Sequence, residues 1–222
     1  MPHVIKRIEA VREKRKSSPR PETRKLSNTP TLFGKIRQPK NKYLAIPEVS
    51  SEKRYYIPIG FVDQNIICSN KIYSIDGAGI ICFGILNSGM HMAWVRHVAG
   101  RLKSDYQYSN GIVYNNFPWP QDISDKQKQD IEKAAQSVLN TRDKHKGASL
   151  ADLYDPNTMP PDLIKAHRVL DAAVDAAYSK KKFLGDSDRV AFLFELYQKL
   201  VSPLDVQVKK QRKKTNKKGE AD

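Results

Sequence analysis

The chain has 222 residues, room for one large domain or two small ones. With 39% hydrophobic and 28% charged residues it predicts some disordered stretches, while 9% aromatics argue against disorder throughout. The net charge of +15 lies at the ends, +9 in residues 1–40 and +4 in 201–222 against +2 in 41–120 and zero in 121–200, and no apolar run of about eighteen residues exists, which excludes a helical membrane span.

The first residues, MPHVIKRIEAVREKRK, carry charge where a signal peptide needs an apolar stretch, so a cytoplasmic protein is expected. Val4, Ile8 and Val11 form a thin apolar stripe that predicts a helix over 3–16. SSPRPETRKLSNTP has no period and reads as a basic linker or arm. The runs KYLAIPEV, RYYIPIGF, NIICSNKIYSI and GIICFGILNS predict strands, with Pro47 and Pro58 marking edges or bulges. DGAGI, residues 76–80, reads as a hairpin turn. Cys68 and Cys82 sit among apolar neighbours and read as reduced core thiols.

MHMAWVRHVAGRL predicts a helix with Met92 and Val95 inward and Gly100 near its end. Ser124 and Gln127 form a capping-box pattern that opens a second, with Ile131, Ala134, Ala135 and Val138 inward. Pro160 and Pro161 start a third, which buries Leu163, Leu170 and Val174. RVAFLFELYQKL, capped by Asp186 or Ser187, is apolar nearly all round and is expected to be the buried helix. KKQRKKTNKK reads as a disordered basic tail. The fold class is α+β: a mixed, mostly antiparallel domain over 29–121 and a small helical bundle over 122–204. A basic helix and arm (1–28) and a flexible tail (205–222) flank them.

The densest functional candidate is GRLKSDYQYSNGIVYNNFPWP, residues 100–120. If KSDYQYS is one strand, Lys103, Asp105 and Gln107 project from one face at about 6.7 Å intervals. A donor, an acceptor and an amide are the groups that read base edges in a major groove: Lys for guanine O6 and N7, Asp for cytosine N4, Gln for adenine. The plainer reading is a half-exposed strand whose Lys and Asp merely pair with each other. Phe117 and Trp119 read as packing residues rather than base-stacking ones.

MHMAWVRHVAGRLKSDYQYSNGIVYNNFPWP resembles the target-recognition domain of MmeI-like (type IIL) restriction-modification enzymes and related adenine-specific methyltransferases. TPTLFGKIRQP, YYIPIGF, IICSNKIYSI and FGILNSGMHMAW fit the same region, and LADLYDPNTMPPDLIKAHRVLDAAVDAAY and VAFLFELYQKL resemble its C-terminal helices. The resemblance implies that Lys103 and Asp105 select the base pair beside the methylated adenine, with G at that place. It implies that Gln107 chooses another pair together with a residue near Lys71. Arg96, Arg101, Lys35 and Arg37 are candidates for backbone phosphates, and double-stranded DNA is the expected partner.

No Asn/Asp-Pro-Pro-Tyr/Phe tetrapeptide is present, because Phe117 and Trp119 interrupt NNFPWP. Neither a glycine turn for S-adenosylmethionine nor a PD-(D/E)xK nuclease signature appears, and His91, His97, His145 and His167 lack ligand spacing for a metal. The chain is therefore expected to hold no catalytic centre, cofactor or metal of its own. In the parent enzyme S-adenosylmethionine would bind a methyltransferase domain or subunit encoded upstream, and this chain would be a truncated, split or excised piece. The alternatives are a stand-alone basic RNA-binding protein, although no RRM or KH signature occurs, and a methyltransferase with a divergent site.

Overall fold

The computed structural model describes the backbone of residues 1–216 and the side chains of residues 1–202. Two compact units divide the chain, Met1–Gln38 and Pro39–Asp222. In the first, α1 (Pro2–Lys16) starts on a proline and ends in three basic residues that suit the negative end of its dipole. Within the stretch read as a linker or arm, Pro21 opens a short α2 (Pro21–Lys25), followed by a 3-10 turn at Leu26–Asn28. Arg15 holds this return, donating to the carbonyls of Leu26, Thr29 and Leu32 at 2.7–2.9 Å.

The second unit begins with two small antiparallel sheets. One has the order β3 (Gly60–Val62), β1 (Tyr43–Pro47), β4 (Ile72–Asp76). The other has β2 (Val49–Ser50), β6 (Asp105–Gln107), β5 (Gly100–Leu102). β1 is the central strand of its sheet, not an edge. Pro47 is tolerated because only β4 flanks that end, where Pro47 faces Ile72. Of RYYIPIGF only its end becomes strand, and Pro58 lies in the irregular approach to β3.

Two further expectations fail together. GIICFGILNS is not a strand but α3 (Ile80–Leu86), and DGAGI is not a hairpin turn but the passage from β4 into it. Gly77 there has a φ of 65°, and Gly79 is the N-cap. A short apolar run does not distinguish a buried strand from a buried helix. Gly84 shows why this helix is buried: a Cβ there would stand 3.0 Å from Ile131 Cγ2 and 3.1 Å from Ala135 Cβ.

Ser88 then caps α4 (Gly89–Val98), which buries Met90, Met92, Trp94 and Val95. Phe117 is buried against Trp94, and Trp119 is half-buried beside it. The capping box of Ser124 and Gln127 opens α5 (Asp125–Lys144), with Ile131, Ala134, Ala135 and Val138 inward. A second capping box, Ser149 with Asp152, opens the single turn α6 (Leu150–Leu153). α7 (Pro161–Tyr178) packs against α5 with Leu163, Ala166, Leu170 and Val174 buried.

The last helix departs from expectation. α8 (Asp186–Asn216) is not the buried helix, since only Leu193 is buried among its described side chains. Its aromatics form a lateral layer instead, Phe194 and Tyr197 lying 5.5 and 5.9 Å from Trp94. The tail expected to be disordered from 205 is helical backbone as far as Asn216, in keeping with the good helix propensity of Lys, Arg and Gln. The rest of that tail, 217–222, lies outside the described residues. Cys68 and Cys82 are both free and half-buried. No helix among the described residues is long and apolar enough to cross a membrane.

A buried polar network joins the α5–α7 pair to the sheet side of the unit. Arg142 donates to the Tyr154 hydroxyl at 2.9 Å, to the Ile59 carbonyl at 2.8 Å and to Asn87 Oδ1 at 3.0 Å. Its guanidinium also lies 5.0 Å from the ring of Phe83 and 4.9 Å from that of Tyr154. Having accepted from Arg142, the Tyr154 hydroxyl donates to His167 Nε2 at 2.6 Å. His167 Nδ1–H is then left to donate to the Asn87 carbonyl at 3.1 Å. Tyr56 stacks on His167 at 4.0 Å and donates to Asp171, which also accepts from the Gly89 N–H.

Burial holds His167 down to about 3, the Arg142 charge adding to the effect, and burial alone does the same to His91. The unfolded chain protonates both near pH 6.5. Their stabilising contribution is therefore complete above pH 6.5 and is lost progressively as pH falls below it towards 3. Asp171, raised mainly by burial, acts in the opposite sense where carboxylates titrate. Urea unfolding at pH 5.5 should give a free energy about 2–3 kcal/mol below that at pH 7. A flat profile across that interval would mean that neither imidazole is held neutral by the fold.

Candidate functional site

β5 and β6 form a hairpin whose two-residue turn is Lys103–Ser104, with Leu102 facing Asp105 across it. This corrects the expectation of one strand carrying Lys103, Asp105 and Gln107 on one face. Lys103 is in the turn, with a left-handed φ of 57°. That conformation costs a non-glycine residue roughly 1–2 kcal/mol, and two-residue hairpin turns usually place glycine there. Asp105 and Gln107 do alternate as expected. Tyr106 between them turns inward and is buried, Gln107 is exposed, and Asp105 is half-buried. The tip thus presents an ammonium group on a constrained turn, and a carboxylate two residues later at the start of the strand.

Gln107 stands mid-sheet, facing Gly100 on β5 and Val49 on β2. The residue before Val49 is Glu48, which joins the two sheets. Its N–H donates to the Lys71 carbonyl at 2.9 Å, and its carbonyl accepts from the Tyr108 N–H at 2.7 Å. Its carboxylate pairs with Lys71 Nζ at 3.0 Å, with the lysine side chain 68% exposed and the glutamate 18%. Lys71, in the turn just before β4, and Gln107, on β6, are therefore brought to the two sides of one kink. Sequence reasoning missed Glu48. The only signal was an acid placed directly after Pro47 at the end of a strand.

The four arginines and lysines expected at phosphates divide sharply. Arg96 pairs with Asp186 and donates to the Tyr55 carbonyl at 3.2 Å. Arg101 donates to the Ser104 carbonyl in the turn at 2.9 Å, lies 4.1 Å from the centre of the Tyr106 ring and approaches Glu52 at 3.8 Å. Both are engaged within the protein. Lys35 and Arg37 belong to the other compact unit, Met1–Gln38, and are exposed there.

Beside the hairpin the packing is buried and hydrogen-bonded. Tyr108 is buried, and its hydroxyl meets His91 Nε2 at 3.1 Å. Trp94 donates to the Val113 carbonyl at 3.0 Å. Among the described residues no three His, Cys, Asp or Glu side chains are grouped to hold a metal ion. Chemically the arrangement offers exposed polar donors and acceptors above buried packing, which suits recognition of a polar surface.

Comparison with known proteins gives consistent matches. The family model described as the MmeI target recognition domain matches residues 1–121, and that of the MmeI C-terminal domain matches residues 123–205. DNA methyltransferase A of Bacillus subtilis (strain 168) is 44% identical over 199 residues, spanning 90% of this chain and 22% of that protein. The solved structure of the type IIL restriction-modification enzyme MmeI in complex with DNA superposes with a TM-score of 0.83 at 50% identity, spanning 90% of this chain and 26% of that one. The chain thus spans about a quarter of the length of each of these relatives. It belongs to the MmeI family and carries that family's target recognition and C-terminal domains.

Proposed function

We propose that the chain is the sequence-reading part of an adenine-N6 DNA methyltransferase or restriction-modification protein, and that it binds double-stranded DNA with the β5–β6 hairpin in the major groove. The observation that carries this reading is the exposed tip, where a cation and a carboxylate two residues apart stand on a target recognition domain. Lys103 donates to guanine O6 and N7, and Asp105 accepts from the N4 amino group of the paired cytosine, beside the target adenine. Gln107 reads a second pair together with Lys71. Residues 29–121 do the reading, and 122–204 support them. Lys35 and Arg37 supply phosphate contacts. Methyl transfer from S-adenosylmethionine falls to a methyltransferase domain or subunit acting with this chain in the cytoplasm.

Selection from a duplex DNA library randomised over twelve base pairs tests the reading. The chain should enrich a short consensus that includes a fixed G·C pair, with an affinity that falls linearly in log–log terms as salt rises. Enrichment of no consensus, or equal retention of single-stranded RNA, would overturn it.

A further inference from the structure

Arg101, a candidate for a phosphate contact, is tied into the fold by several contacts of its own. It sits on β5 directly across from Tyr106, and its guanidinium covers that ring at 4.1 Å. One amino group donates to the Ser104 carbonyl, the second residue of the turn, at 2.9 Å. The other reaches back to the Arg96 carbonyl in the last turn of α4 at 3.4 Å. Arg96 is itself held by Asp186, at the start of α8, and by the Tyr55 carbonyl. Glu52, 3.8 Å from Arg101, offsets part of the charge that a phosphate contact would use.

The hairpin needs such a tie. Its strands are three residues each, too short to fix their own geometry, and its turn places Lys103 in a conformation that L residues avoid. We infer that Arg101 is a positioning residue. By clamping the turn carbonyl to α4 it fixes the direction of Lys103 relative to Asp105, and so sets base discrimination rather than overall affinity. A planar fork bonded at two carbonyls and stacked on a ring is what lysine cannot reproduce.

This rests on the hairpin being the base reader, and the test separates the two. Arg101→Lys keeps the charge and removes the fork. In the randomised-duplex selection, this variant of the full chain should lose its preference at the pair read by Lys103 and Asp105, a loss of roughly 5- to 150-fold in discrimination. Preferences at other positions and the salt slope should stay as they are. In the free chain, the amides of Leu102 and Asp105 should lose hydrogen-exchange protection while those of α5 and α7 keep theirs. If Arg101 is instead a phosphate contact, Arg101→Lys leaves both preference and protection intact, and Arg101→Ala lowers the salt slope by about one unit at every sequence. That result overturns the inference. If the unaltered chain enriches nothing, the base-reading assignment fails, and hydrogen exchange alone judges Arg101: lost protection supports the clamp and unchanged protection refutes it.

Discussion

Exchanging Lys103 for Glu and Asp105 for Arg together should turn a preference for G·C into one for C·G. In the reversed orientation Glu accepts from cytosine N4, and Arg can bond guanine O6 and N7 with both arms. Each single change leaves one base edge facing a group of the wrong polarity, at about 1–3 kcal/mol per mismatch. The singles should therefore methylate more weakly than either parent or double variant. The turn does not obstruct the exchange. Lys103 already occupies its left-handed position as an ordinary L residue, so Glu meets the same backbone cost. The measurement is the sequence of methylated sites in a full-length MmeI-family methyltransferase carrying this recognition domain. An active double variant that still methylates only sites with G at that place would make both residues scaffold.

The second large effect is on stability. Arg142→Ala should lower the unfolding free energy of the Pro39–Asp222 unit by about 3–5 kcal/mol. Arg142 is 8% exposed, and its removal strands the Ile59 carbonyl, Asn87 Oδ1 and part of the bonding capacity of Tyr154 away from water. Stranded buried acceptors cost about 1–3 kcal/mol each. The rings of Phe83 and Tyr154 lose their cation as well. Urea unfolding followed through the fluorescence of the buried Trp94 would measure it. A loss below about 1 kcal/mol would mean that these groups find other partners without Arg142.

What the sequence disclosed was mostly local. The capping box at Ser124 and Gln127, the prolines that open α7 and the inward faces of α5 and α7 are written in local residue types and in spacings of three and four residues, and all occur. The polar alternation of Asp105 and Gln107 was equally legible. Lys103 was not, because period-two spacing does not reveal where a strand folds back on itself, and its turn lacks the usual glycine. α3 differs from the expected strand because a seven-residue apolar run, half-buried or buried at every position, satisfies either period. α8 was misread for a related reason: an apolar sequence specifies contact, and lateral aromatic contacts with Trp94 met that need without enclosure. Glu48 and Arg142 depend on partners 12 to 83 residues away, which no local pattern encodes.

The kink at Glu48 bears on how target preference drifts in evolution. Lys71, Lys103 and Gln107 are exposed, so exchanging them costs the fold little, and new specificities are open to exchanges at these positions and their reading partners. Length changes are not equivalent. One residue gained in the loop before β4, or at the Lys103 turn, alters reach but leaves both ladders intact. One residue gained between Pro47 and Val49 slips β2 against β6, and in a pleated sheet a slip of one turns every side chain to the opposite face. Lineages of this domain should therefore diversify by exchange and loop length around a hinge of invariant length.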